Sequence, residues 1–132
     1  MTWRYLTPPL FNYRVLLAER SGQPVGYAAY RLEESLGRKV GSVAEVFTDQ
    51  DDVKTRGTLI SHVIEALQAA GAEQVAALAI PGTPIWQAFQ QTGFFARASF
   101  SVQLVPLDPK LPMDILRDLR SWNIAGGDFD VV

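Results

Sequence analysis

A chain of 132 residues with 48% apolar side chains is long enough for one domain and apolar enough to bury a core, which excludes a disordered segment. The formal net charge is −2 and no Lys/Arg cluster occurs, which argues against a nucleic-acid groove or an anionic membrane surface as partner. With no cysteine and a single histidine, disulfides, thiolate nucleophiles and cysteine-based metal sites are excluded, and no metal is expected.

In chain order, the N-terminal MTWRYLTPPLF lacks the charged-then-apolar layout of a secretory signal, and its prolines break any early helix. Residues 13–20 (YRVLLAER) read as a strand closed by the turn SGQP. Residues 25–34 (VGYAAYRLEE) are its antiparallel partner, SLGRK turns the chain again, and residues 40–48 (VGSVAEVFT) complete a meander. The period then changes. Over residues 52–70, Val53, Gly57, Ile60, Val63, Ile64 and Leu67 recur at helical spacing and predict one apolar face. Asp51 or Asp52 caps the start, and Gly71 closes the helix in a left-handed conformation. Residues 74–80 (QVAALAI) are a continuous apolar run, expected to be a strand buried on both faces and parallel to its neighbour. That run is far too short to span a bilayer, so a soluble, cytoplasmic protein is expected. A short helix follows, with Thr83 as cap, Pro84 first in the helix, Ile85, Ala88 and Phe89 inward, and Gly93 at its end. Residues 94–107 (FFARASFSVQLVPL) alternate like a last strand, and residues 111–122 (LPMDILRDLRSW) predict a terminal helix beginning at Pro112. Gly93 is expected to have positive φ, with Phe89 and one of Phe94 and Phe95 packed against the helix of residues 52–70.

Few residues carry chemistry. Glu45 stands in the apolar stretch VAEVF; it either faces a cleft, where burial raises a carboxyl pKa toward that of a base, or points outward as a solvated carboxylate. His62 falls on the helix side away from the apolar stripe and is expected in solvent. Trp3, Tyr5, Tyr30 and Trp86 are either pocket walls or packing residues. Asp128 and Asp130 lack the further oxygen ligands of a calcium site.

The order meander, long helix, strand, short helix, last strand resembles the GNAT N-acetyltransferase superfamily over residues 13–107. FQQTGF, Phe89–Phe94, is similar to the superfamily's Y-x-x-x-G-F before the last strand. The resemblance implies an α+β, three-layer α/β fold: a mixed sheet, an antiparallel meander followed by α-β-α-β, with helices on both faces. Residues 1–132 would be a single GNAT-like domain whose N-terminal elements are missing or reduced. Residues 108–132 would be a C-terminal helix and tail, similar to the tail of longer, two-part members. It implies acyl-CoA-dependent transfer to a small-molecule amine, with acetyl-CoA or another acyl-CoA as cofactor and no metal. Glu45 would be the base. Val46, Phe47, Thr48, Asp52 and Val53 would meet the cofactor, with backbone groups of Val46 and Thr48 holding its pantetheine arm. Tyr30, Trp86 and Phe89 would line the acceptor pocket. The sequence also departs from the superfamily pattern. Asp49, Asp51 and Asp52 occupy the turn where the diphosphate would dock, and the better register leaves no Gly-x-Gly motif. Phe89 replaces a proton-donating Tyr, and Gly82 replaces an Asn. A non-catalytic GNAT-like module for interaction or small-molecule sensing is the alternative, with an N-terminal domain of the same full-length protein or a second copy as partner.

Overall fold

The computed structural model of the chain describes residue 6 and residues 11–97, 107–122 and 124. Trp3, Tyr5, Asp128, Asp130 and residues 98–106 of the expected last strand lie outside them. β1 (Arg14–Arg20), β2 (Gln23–Ser35) and β3 (Arg38–Thr48) pair antiparallel in succession. Two-residue turns join them, and both residues of each turn have positive φ: Ser21 51° and Gly22 76°, then Leu36 52° and Gly37 75°. An I′ hairpin turn requires this pattern, because its twist matches that of the flanking strands.

α1 (Val53–Ala69) begins at Asp52 and ends in a Schellman motif. Gly71 has φ 89° and donates to the Gln68 carbonyl, while Ala72 donates to Leu67. The crossover sets β4 (Gln74–Ala77) parallel to β3, in the sheet order β1-β2-β3-β4. α2 (Pro84–Gln91) is capped by Thr83 with Pro84 in its first turn, as its sequence predicts. α3 (Met113–Arg117) and a 3-10 turn (Leu119–Ser121) stand where the terminal helix is expected. No helix among the described residues is long and apolar enough to cross a membrane.

One core lies between the sheet and the two longer helices. Leu59, Ile60, Val63 and Leu67 of α1 pack on Ala28, Tyr30 and Val43, joined by Ala88 and Phe89 of α2. Gly41 permits this approach, since a Cβ there would lie 2.6 Å from Leu67 Cδ1. On the other face Tyr13, Ala29 and Ala44 gather with Phe11, Val15 and Tyr27. Among the described residues, α1 and α2 both belong to the first face.

Three expectations need correction. Val53 is on the right side of the helical wheel but is 58% exposed. Leu59 already sits over Gly26 and the end of β3 at Thr48, so Val53, about 9 Å earlier along the axis, overhangs the sheet. The missed inward residues are Thr55, Arg56 and Leu59. β4 is shorter than its apolar run and alternates, with Val75 and Ala77 half-buried and Gln74 and Ala76 exposed, because only one of its faces meets the helices. Residues 94–97 are not a strand; they leave the Gly93 turn without ladder partners.

Candidate functional site

The sheet opens at one place. β4 pairs with β3 over Val40–Val43 and stops, while β3 continues to Thr48. The chain after β4 turns away through Leu78 to Ile80 toward the cap of α2, where Thr83 donates its hydroxyl to the Ile80 carbonyl at 2.6 Å. The result is a narrow cleft walled on β3 by Val43, Ala44, Glu45 and Val46, and across from it by Leu78, Ile85 and Phe89, with Ile124 closing one side. Past Val43, the far edge of β3 has no strand partner among the described residues. Such an edge offers backbone N–H and C=O groups to an extended ligand.

A bulge decides what Glu45 does. Ala29 pairs with Glu45 but Tyr30 pairs with Val43, so Ala44 is the extra residue. With regular alternation from Val43, Glu45 would point under α1 into the core. The extra residue shifts the phase by one. Val43 and Val46 stay with the core, whereas Glu45 joins Ala29 on the face away from α1. Glu45, half-buried, thus borders the cleft from a strand position that belongs to the face away from α1.

The N-terminus of α1 is already occupied by the chain's own groups. Asp52 Oδ1 accepts from the Thr55 N–H at 3.1 Å, and Oδ2 accepts from the Thr55 hydroxyl at 2.7 Å and from Arg20 at 3.0 Å. The Thr55 hydroxyl, then the Thr55 N–H, then Arg20 hold the Asp52 carboxyl below the usual carboxylate range, against a partial opposing effect of burial. The Val53 N–H is bonded to the Asp51 carbonyl. Arg56, only 5% exposed, donates to the carbonyls of Asp49 at 3.0 Å and Gln50 at 2.7 Å and so ties down the loop before the helix. Helix N-termini bind phosphate through free N–H groups and the positive end of the dipole. Here a carboxylate takes that position.

No protein-family model matches the chain, and no curated protein is similar to it in sequence. Solved structures are similar to it in fold. Glucosamine-6-phosphate N-acetyltransferase from Arabidopsis thaliana superposes with a TM-score of 0.61 at 10% identity, covering 72% of this chain and 68% of that one. A transcriptional regulator from Bacillus halodurans gives 0.59 at 18% identity, covering 70% and 67%. Ribosomal-protein-alanine N-acetyltransferase from Brucella melitensis gives 0.54 at 17%, covering 72% and 71%. The fold is GNAT-like. Identities this low establish architecture and leave activity to be argued from the residues.

Against a GNAT-like site, the expected residues divide. Glu45, Val46 and Phe89 meet at the cleft. Thr48 ends β3, with its hydroxyl donating to the Asp49 carbonyl at 3.0 Å. Phe47 points away from the helices, 52% exposed and stacked on Tyr27. Tyr30 is a core residue under α1 rather than a wall of the cleft, and half-buried Trp86 does not line the cleft either. Asp52 and Val53 flank the helix start, one as its cap and one in solvent. His62 is exposed as expected, with Nδ1 2.9 Å from the Thr58 carbonyl. Among the described residues no cluster of His, Asp and Glu could hold a metal ion. Sequence reasoning missed Arg20, Thr55, Arg56, Leu78 and Ile124. Only Thr55 left a signal, a hydroxyl three residues after a cap aspartate.

Proposed function

We propose that this chain is a GNAT-like N-acyltransferase domain that moves an acyl group from a thioester donor of the acyl-CoA class to an amine. The opening between β3 and the chain after β4, with Glu45 at its outer mouth, carries this reading. The two ends of such a donor fit unequally. Its pantetheine arm suits the β3 edge past Val43, which has no strand partner among the described residues and along which the backbone groups of Val46 and Thr48 follow one another in extended geometry. Its diphosphate meets Asp52, already hydrogen-bonded by Thr55 and Arg20, at the head of α1. Like charge there opposes binding, so affinity is expected to be low.

The donor supplies an activated carbonyl: the amine nitrogen bonds to the thioester carbon, the carbon–sulfur bond breaks, and the thiolate leaves. In this reading Glu45 takes the proton that the nitrogen must lose, directly or through one water. Phe89 has no proton to return, so the leaving thiolate takes one from solvent. Val43, Leu78, Ile85 and Phe89 keep the reacting centre apolar.

Calorimetric titration with acetyl-CoA, followed by a transfer assay over a panel of amines, tests this. The expected result is saturable binding weaker than about micromolar, with transfer that Glu45→Gln lowers by roughly a hundredfold or more while the melting temperature holds. No binding at millimolar acetyl-CoA, or transfer indifferent to Glu45→Gln, overturns it. A non-catalytic module for interaction or small-molecule sensing is the second reading, favoured by the Asp52 cap, the Arg56 tie and the Ile124 wall. A ligand that binds the cleft without any acyl transfer would select that reading.

A further inference from the structure

The β3 edge that leaves the cleft leads to the head of α1. From Glu45 to Thr48 it spans about 10 Å, and residues 49–52 then turn directly into the helix. A helix head carries four N–H groups without an intrahelical acceptor. At α1 these belong to Asp52, Val53, Lys54 and Thr55, and three of them are engaged within the chain. Asp52 donates to the Asp49 carbonyl at 3.0 Å, Val53 to the Asp51 carbonyl at 3.0 Å, and Thr55 to Asp52 Oδ1 at 3.1 Å. The Thr55 hydroxyl donates to Asp52 Oδ2 at 2.7 Å and accepts from Arg20 at 3.1 Å. Arg20 and Arg56 are committed too, Arg20 to Asp52 and Arg56 to the Asp49 and Gln50 carbonyls, while Lys54 is exposed. An incoming diphosphate must displace the Asp52 carboxylate to gain these donors, whereas a neutral group leaves the cap intact.

We propose that Asp52 is a specificity residue that turns away the nucleotide end of the donor, and that the donor is an acyl thioester of pantetheine whose far end carries no diphosphate. The proposal rests on the acyl-transfer reading and narrows its donor class. The acyl end uses the apolar cleft and the arm uses backbone groups along β3, both apart from the Asp52 cap. The far end meets a capped helix. A diphosphate there finds no free set of N–H groups and faces a carboxylate, so the nucleotide part of acetyl-CoA adds nothing to affinity. A neutral end, or a single phosphodiester that meets only the exposed Lys54, runs past the turn into solvent.

Calorimetric titration of the full chain with three probes tests this. They are acetyl-CoA, S-acetylpantetheine as the free arm, and its 4′-methylphosphodiester as an arm joined through one phosphate to a larger body. S-Acetylpantetheine is expected to bind at least as tightly as acetyl-CoA, and the tighter of the two short probes tells which form of the arm the domain takes. Asp52→Gly puts a residue that helix caps tolerate at this position and frees the Thr55 N–H, the Thr55 hydroxyl and Arg20. It should tighten acetyl-CoA about tenfold, one decade in dissociation constant, and leave S-acetylpantetheine where it was. Asp52→Asn, which removes the charge and keeps a cap, should tighten acetyl-CoA by less. Glu65→Gln, at an exposed position about 20 Å further along α1, should change neither. Tighter binding of acetyl-CoA than of S-acetylpantetheine by the parent chain overturns the proposal, whether or not the variants fold. An Asp52→Gly variant that gains nothing for acetyl-CoA, or gains equally for both probes, overturns it too. If S-acetylpantetheine binds as expected and no amine is acylated, the donor preference stands and the transfer reading fails. Transfer from an acetyl-CoA that binds more tightly than S-acetylpantetheine does the reverse, and no binding of any probe at millimolar concentration overturns both.

Discussion

Asp52 and Glu45 are both carboxylates near the expected cofactor path, and their surroundings give them opposite work. Asp52 is spent on structure: it caps α1 through Thr55 and holds Arg20. Its pKa is lowered in the folded chain, so its contribution to stability is fully present above the unfolded carboxyl pKa and is lost as pH falls through the folded one. Asp52→Ala should therefore lower the melting temperature at pH 7, and the gap from the parent chain should narrow as pH drops below about 4. Melting curves from pH 7 to pH 2.5 check this; a gap constant across the range would remove the carboxylate cap as its cause. Among the described residues Glu45 makes no side-chain hydrogen bond or ion pair of this kind, and it stands half-buried beside the cleft.

At the scale of elements, FQQTGF marks a helix end before it marks a family. Thr92 is the C-cap of α2; Gly93 donates to the Gln90 carbonyl at 3.1 Å and Phe94 to Phe89 at 3.0 Å. This is the Schellman pattern, and the apolar contact that accompanies it is present, with the Phe89 and Phe94 rings 4.9 Å apart. Phe94 packs against the core and Phe95 points out, the division expected from alternation. Gly93 has φ 102°, and nothing lies within 4 Å of where a Cβ would stand. Space is not the constraint there. Gly93→Val should cost about 1–2 kcal/mol through backbone strain alone, with most of that loss already present in Gly93→Ala. Urea denaturation of the two variants measures it; a neutral Gly93→Ala would show that the turn relaxes to negative φ.

For the whole molecule, the cleft is the junction of three segments far apart in sequence: the bulged end of β3, the chain from Leu78 into α2 as far as Phe89, and Ile124. Ile124 stands where a ligand on the β3 edge would need room. Trimming it with Ile124→Ala should widen the cleft, so acetyl-CoA should raise the melting temperature more in the variant than in the parent chain. A smaller ligand-induced rise in Ile124→Ala would mean that this side chain grips the ligand instead of obstructing it.

The sequence by itself determined the local geometry. The hairpin turns, the caps Asp52 and Thr83, the closing glycines and the helix periods follow from short-range chemistry: which residue tolerates positive φ, which oxygen reaches an N–H three residues on, which spacing lines one face. Their order was enough to indicate a GNAT-like architecture. The bulge at Ala44 was not legible, since VAEVF alternates equally well with or without an extra residue, and only pairing with β2 inserts one. Its consequence is large: one residue of phase moves Glu45 from the core to the outer mouth of the cleft. The burial of Arg56, the exposure of Val53 and the place of Tyr30 in the core were likewise settled by where α1 lies along the sheet. A helical wheel gives the direction of a side chain but not the neighbour it meets, and that neighbour is supplied by chain distant in sequence.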